Sequence, residues 1–256
     1  MMNSISSDKP KRTIRLWSVA VWLLAWQGLS MYIGQEILLV SPASVVLRLA
    51  QLAIEAGFWQ SVAFSFLRIT AGFLLATVSG IVFAALAASF RRVEELLAPA
   101  MLLIKSTPVA SFTILVLIWV SSRNLSVVIS YLMVLPIIYT NVLRGIGSTD
   151  SKLLEMASVF GIPRRRRVLY IYVSQVLPFF QSACLVGLGL CWKAGVAAEV
   201  IGIPKGSMGE KLYMAKIYFA TPDLFAWTLT VIIVSLLFEK LFMQLVRSLI
   251  NRIERL

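Results

Sequence analysis

The 256-residue sequence contains no histidine and only two cysteines, Cys184 and Cys191. Without histidine there is no His-based catalytic triad, no histidine zinc site and no histidine-ligated haem. The two cysteines lie within one apolar run. On a helix they would sit about 10 Å apart, too far for a disulfide within that helix, and they read as small buried apolar residues. Charge is also scarce, at 14% of residues against 59% hydrophobic. No Gly-x-x-x-x-Gly-Lys-Ser/Thr occurs, so the chain has no P-loop for ATP. No paired carboxylate motif lies in the apolar runs. No catalytic residue, metal site or cofactor is expected.

The chain does have long uncharged stretches, at 16–35, 69–90, 106–122, 124–143, 168–192 and 224–238. A bilayer-spanning helix needs about 20 mostly apolar residues. Six spans are expected, at about 16–34, 63–89, 98–120, 125–145, 174–202 and 224–247. The runs are too long and too unbroken for barrel strands. Residues 16–34 carry Trp17, Trp22 and Trp26 and lack a small-x-small cleavage site, so they read as a retained first span. Residues 1–15 form a tail whose first 12 residues read as disordered. The remainder, 16–256, reads as one transmembrane domain, because no polar stretch is long enough to build a separate core.

The net charge of +12 invites a nucleic-acid reading, but its distribution argues against one. With the N-terminus inside, sixteen of the 24 Lys and Arg fall in cytoplasmic segments. They are Lys9, Lys11, Arg12 and Arg15; Arg91 and Arg92; Arg144, Lys152 and Arg164 to Arg167; and Lys240, Arg247, Arg252 and Arg255. Five are external (Arg48, Arg123, Lys205, Lys211, Lys216) and three are intramembrane. This asymmetry follows the positive-inside rule and places both termini in the cytoplasm. The basic charge then serves topology and contact with anionic lipid, not nucleic acid.

Secondary features follow from local patterns. Ser41-Pro42 starts an external amphipathic helix at 43–56. Gly72, Ala76, Gly80 and Ala84 make a small-xxx-small face for close packing, against another span of this chain or a second copy. Phe90–Ala98 reads as a short inner loop, and Arg123-Asn124 as a tight outer turn. Pro108 and Pro136 can kink the third and fourth spans. Met208–Ala220 can form a short helix dipping into the outer face.

The most informative segment is 149–163. Leu153, Leu154, Ala157 and Phe160 recur at helical spacing, Thr149 or Asp150 can cap the start, and Gly161 with Pro163 stops the helix. Such a helix either lies on lipid headgroups, held by Arg164 to Arg167, or docks into a soluble partner. Glu155-Met156-Ala157, three residues, then Gly161 resembles the EAA loop of ABC importer permeases, which runs Glu-Ala-Ala, three residues, Gly, nine residues, Ile, one residue, Leu-Pro. Ile171 falls in register. Met156 replaces the first Ala, and Val173-Ser174 stands where Leu-Pro is usual, with Leu177-Pro178 four residues on. Ser41–Val45, Ser65–Arg68 with Ala71-Gly72-Phe73, Thr107-Pro108 and Ala198-Glu199 also look like the nitrate/sulfonate/taurine-type permeases, over residues 38 to 246.

The resemblance implies an all-α membrane protein with six transmembrane helices, a type I ABC importer permease of the bacterial inner membrane. It implies a coupling helix at 149–161, with Glu155, Met156, Ala157, Gly161 and Pro163 serving two copies of a separate ATPase. It also implies a second copy of this chain as homodimer partner and an external solute-binding protein. The solute that the resemblance implies is small and anionic or zwitterionic, of the sulfonate, taurine, nitrate or thiamine-precursor type. An ion-coupled secondary transporter or channel would explain the spans equally well, but not the loop.

Four ionisable residues, Arg68, Lys105, Lys193 and Glu199, lie in or near spans. Such residues usually face protein or water. They are candidate pathway residues, or structural partners such as Glu199 with Arg68. Three cations against one anion lean toward an anionic solute.

Overall fold

A computed structural model describes residues 16–253, all of whose regular elements are helical. The expected tail 1–15 lies outside the described residues. In chain order the helices are α1 (Leu16–Ile33), α2 (Pro42–Ile54), α3 (Ala56–Ser89), α4 (Arg91–Ser106), α5 (Val109–Val116), α6 (Ser122–Gly147), α7 (Ser151–Val159), α8 (Arg164–Arg167), α9 (Val173–Gly202), α10 (Met208–Ile217) and α11 (Thr221–Ile253). A π-wound turn, Val168–Tyr172, joins α8 to α9, giving one continuous helix from Arg164 to Gly202.

Helix α6 is the central element, packed between α3 and α9. Small residues make this packing close. A Cβ on Gly72 would fall 2.4 Å from the Val127 carbonyl oxygen, and one on Gly195 2.6 Å from the Ser130 hydroxyl. The small face at 72/76/80/84 is therefore buried against this chain's own α6. Across the other side of α3 and α9, α11 contributes Phe238 and Phe242. With Phe66, Phe73 and Trp192 they form a ring cluster at centroid distances of 5.0 to 6.3 Å. Cys184 and Cys191 are buried in α9. Helix α2 starts with Ser41 accepting from the Ser44 N–H at 3.1 Å. It is tied to the start of α11 by the Arg48–Asp223 ion pair, which raises the pKa of the Arg48 guanidinium.

Four expectations are corrected. The third span is not one helix over 98–120: α4 and α5 meet at 108° across Thr107-Pro108. Proline drives the residue before it out of the α region, and Thr107 sits at φ −76°, ψ 130°. Residues 91–98 are not a loop but the first turns of α4, supported by an Arg91–Glu95 pair one turn apart. The outer turn falls at 117–121, and Arg123 and Asn124 already belong to the first turn of α6. Pro136, in contrast, lies inside an unbroken α6. Span five is longer than 174–202, because the winding starts at Arg164. At 1.5 Å per residue that helix measures about 58 Å, roughly twice a bilayer's hydrocarbon thickness.

Candidate functional site

Helix α7 is built by its ends. Asp150, not Thr149, is the N-cap, its carboxylate accepting from the Lys152 N–H at 2.9 Å. At the other end Gly161 adopts φ +61°, its N–H reaches the Ser158 carbonyl at 3.1 Å, and the Ile162 N–H reaches the Ala157 carbonyl at 2.9 Å. This is a Schellman stop, which glycine adopts without Cβ strain. Pro163 then opens α8.

Arg167 reinforces the stop. Its Nε donates to the Ile162 carbonyl at 2.9 Å and its Nη2 to the Ala157 carbonyl at 3.3 Å. A cation at a helix C-terminus also complements the helix dipole. In the sequence the run Arg164 to Arg167 reads as topology and lipid contact, because nothing local tells which arginine turns back.

The expected apolar stripe splits in two. Ala157 is fully buried within the chain and Leu153 and Leu154 are half-buried, but Phe160 is 76% exposed. Phe160 lies past the last helical turn as the C-cap, so its side chain leaves the inner face. Glu155, Met156, Val159 and Phe160 are exposed, alongside Ser151, Lys152 and Ser158. The small Ala157 thus serves the approach of α7 to its own chain.

The four intramembrane charges also separate into two pairs. Glu199 is completely buried. Its Oε2 accepts from the Ser65 hydroxyl at 2.6 Å and from the Gly209 N–H at 3.2 Å, while Ser65 Oγ accepts from the Met208 N–H at 2.9 Å. One carboxylate therefore joins α3, α9 and the start of α10. The Ser126 hydroxyl and Glu199 Oε1 are both buried, and neither makes a hydrogen bond among the described residues. Arg68 does not form an ion pair with Glu199. Its Nε donates to the Arg123 carbonyl at 2.6 Å, and its guanidinium stacks 3.7 Å from the Phe64 ring centroid. Lys105, in the last turn of α4, and Lys193, on α9, are exposed on the single chain. Neither makes a hydrogen bond or ion pair among the described residues. Ser65 and Gly209 escaped sequence reading, because they meet Glu199 only in the folded chain.

Residues 76–255, from the middle of α3 through α11, match the family described as "Binding-protein-dependent transport system inner membrane component". The chain belongs to that family. It is a permease subunit of an ABC importer, a multi-pass protein of the inner membrane and not itself an enzyme. This membership does not favour the secondary-transporter alternative. It implies an ATPase and a solute-binding protein as partners. The permease is 25% identical over 234 residues to the putative aliphatic sulfonates transport permease protein SsuC of Bacillus subtilis, covering 91% of this chain and 84% of the relative. It is 25% identical over 234 residues to the taurine transport system permease protein TauC of Escherichia coli, covering 89% and 85%. It is also 26% identical over 185 residues to the formylaminopyrimidine transport permease protein ThiX of Halalkalibacterium halodurans, covering 72% and 74%.

Proposed function

We propose that two copies of this permease form a pathway for a small anionic or zwitterionic solute of the sulfonate, taurine, nitrate or thiamine-precursor type. Two ATPase subunits engage α7 from the cytoplasm, and a solute-binding protein delivers cargo at the outer face. Both termini are cytoplasmic, and α10 is external. The relatives' names support the sulfonate and taurine members of this class, and that of ThiX a pyrimidine. The charges support an anionic solute: Arg68 and Glu199 have partners within the fold, whereas the Lys105 and Lys193 ammonium groups make no ion pair among the described residues.

The observation that carries the reading is α7 itself, a short capped helix presenting Glu155, Met156, Val159 and Phe160 outward within the segment that matches the family. The ATPase changes conformation as it hydrolyses ATP. A helix with both ends closed transmits that movement to α6 and α9 as a rigid body. The buried Ala157 and the Arg167 clamp hold α7 to the rest of the chain, and Gly161 and Pro163 shape the turn into α8.

Phe160→Cys, in a background lacking Cys184 and Cys191, should cross-link to a co-expressed ATPase. Cysteines at Asn124 and Lys211 should react with impermeant reagents only from outside. Absence of any cross-link from positions 155, 156, 159 and 160 would overturn the docking assignment. Labelling of position 211 only from inside would overturn the topology.

A further inference from the structure

Two adjoining cavities open where α3, α6 and the start of α9 meet near α8. The first, of about 290 Å³, lies among Ile81, Val142, Ile146, Val176, Leu177 and Phe180. The second, of about 450 Å³, shares Ala85, Ile146, Val168 and Tyr172 with the first and adds Arg164 and Arg167. Together they make an apolar slot with a cationic mouth, and no carboxylate lines either part. Two of the shared residues, Val168 and Tyr172, are the first and last of the π-wound turn, a widened winding that frequently marks functional sites.

The two arginines differ in their freedom. Arg167 is held at the mouth by its bonds to the Ile162 and Ala157 carbonyls. Arg164 is exposed and makes no hydrogen bond or ion pair among the described residues. A soluble anion would match the arginines but leave the slot empty, and a neutral apolar molecule would fill the slot but ignore the arginines. A molecule with a phosphate head and a hydrocarbon tail matches both. Basic pockets between spans on the cytoplasmic side suit such head groups, and the cytoplasmic leaflet supplies anionic lipid.

We propose that this groove binds an anionic phospholipid of the cytoplasmic leaflet, with one acyl chain between α3, α6 and α9 and its phosphate at Arg164 and Arg167. The inference rests on the cytoplasmic placement of α7 proposed above. It carries a functional consequence. Arg167 also holds the last turn of α7, so a headgroup at this mouth bears directly on the helix offered to the ATPase, and coupling becomes sensitive to anionic lipid.

The test uses the permease co-purified with its ATPase in mixed phosphatidylglycerol and phosphatidylcholine, with bound lipid counted by native mass spectrometry. Wild type should retain phosphatidylglycerol in preference to phosphatidylcholine. Arg164→Gln should weaken that retention about fivefold, the equivalent of about 1 kcal/mol for one arginine near an anionic surface. Ala85→Phe, which fills the shared wall, should reduce retention while ATPase still co-purifies. Equal retention of the two lipids, or unchanged retention in both variants, would overturn the proposal. So would efficient disulfide cross-linking between two copies through Ala85→Cys, which would make the groove an interface between subunits. Loss of ATPase from wild-type preparations would instead count against the assignment of α7 and leave the lipid result to be read separately.

Discussion

Replacing Gly161 separates the geometry of the α7 stop from its surface chemistry. Gly161 sits at φ +61°, and no neighbouring atom lies within 4 Å of where a Cβ would stand. Alanine therefore meets no clash there, and its only penalty is left-handed backbone strain, about 1–2 kcal/mol. That is roughly a 5- to 30-fold shift in equilibrium, away from the conformation in which the Gly161 and Ile162 N–H groups reach the Ser158 and Ala157 carbonyls. Asparagine tolerates the same region better. Leucine adds bulk into open space and should resemble alanine. The Gly, Asn, Ala and Leu forms are co-expressed with the ATPase, and co-purified ATPase and solute uptake are each normalised to permease in the membrane. Coupling should fall in the order Gly, Asn, then Ala with Leu, at equal membrane abundance. An alanine form that couples like wild type would refute the reasoning, since the strain does not depend on any partner. An asparagine form as defective as alanine would refute the backbone explanation.

Glu199→Ala strands the Gly209 N–H and removes the acceptor of the Ser65 hydroxyl. Each buried group left without a partner costs about 1–3 kcal/mol. The thermal midpoint of the purified protein should drop and protease sensitivity around α10 should rise, with Glu199→Gln milder because its amide oxygen still accepts. An unchanged midpoint for Glu199→Ala would show that the carboxylate does not hold α10. Gly72→Ala places a Cβ 2.4 Å from the Val127 carbonyl oxygen and should destabilise the α3–α6 contact by about 1–3 kcal/mol, read as lower abundance and midpoint; wild-type stability would count against direct α3–α6 contact. Lys193→Met should abolish uptake of an anionic solute at full abundance, since Lys193 makes no ion pair among the described residues. Unchanged uptake would remove Lys193 from the pathway, and a fall in abundance would assign it a structural role.

The amino-acid sequence by itself determined the features that arise within a few residues of one another. Uncharged runs of bilayer length specified the helices, although not their ends, because continuation at 91–97 and 164–173 depends on packing as well as hydropathy. Gly161 and Pro163 specified the stop of α7, and Pro108 a break in the third span, because backbone restrictions at glycine and proline are local. Only the tertiary structure decided what meets what. It turned the 72/76/80/84 face onto α6, set α4 and α5 at 108°, and moved Phe160 off the inner face of α7. It also gave Glu199 to Ser65, a partner 134 positions away, instead of to Arg68. A buried carboxylate must find donors wherever the fold brings them, and no spacing along the chain encodes which donors those are.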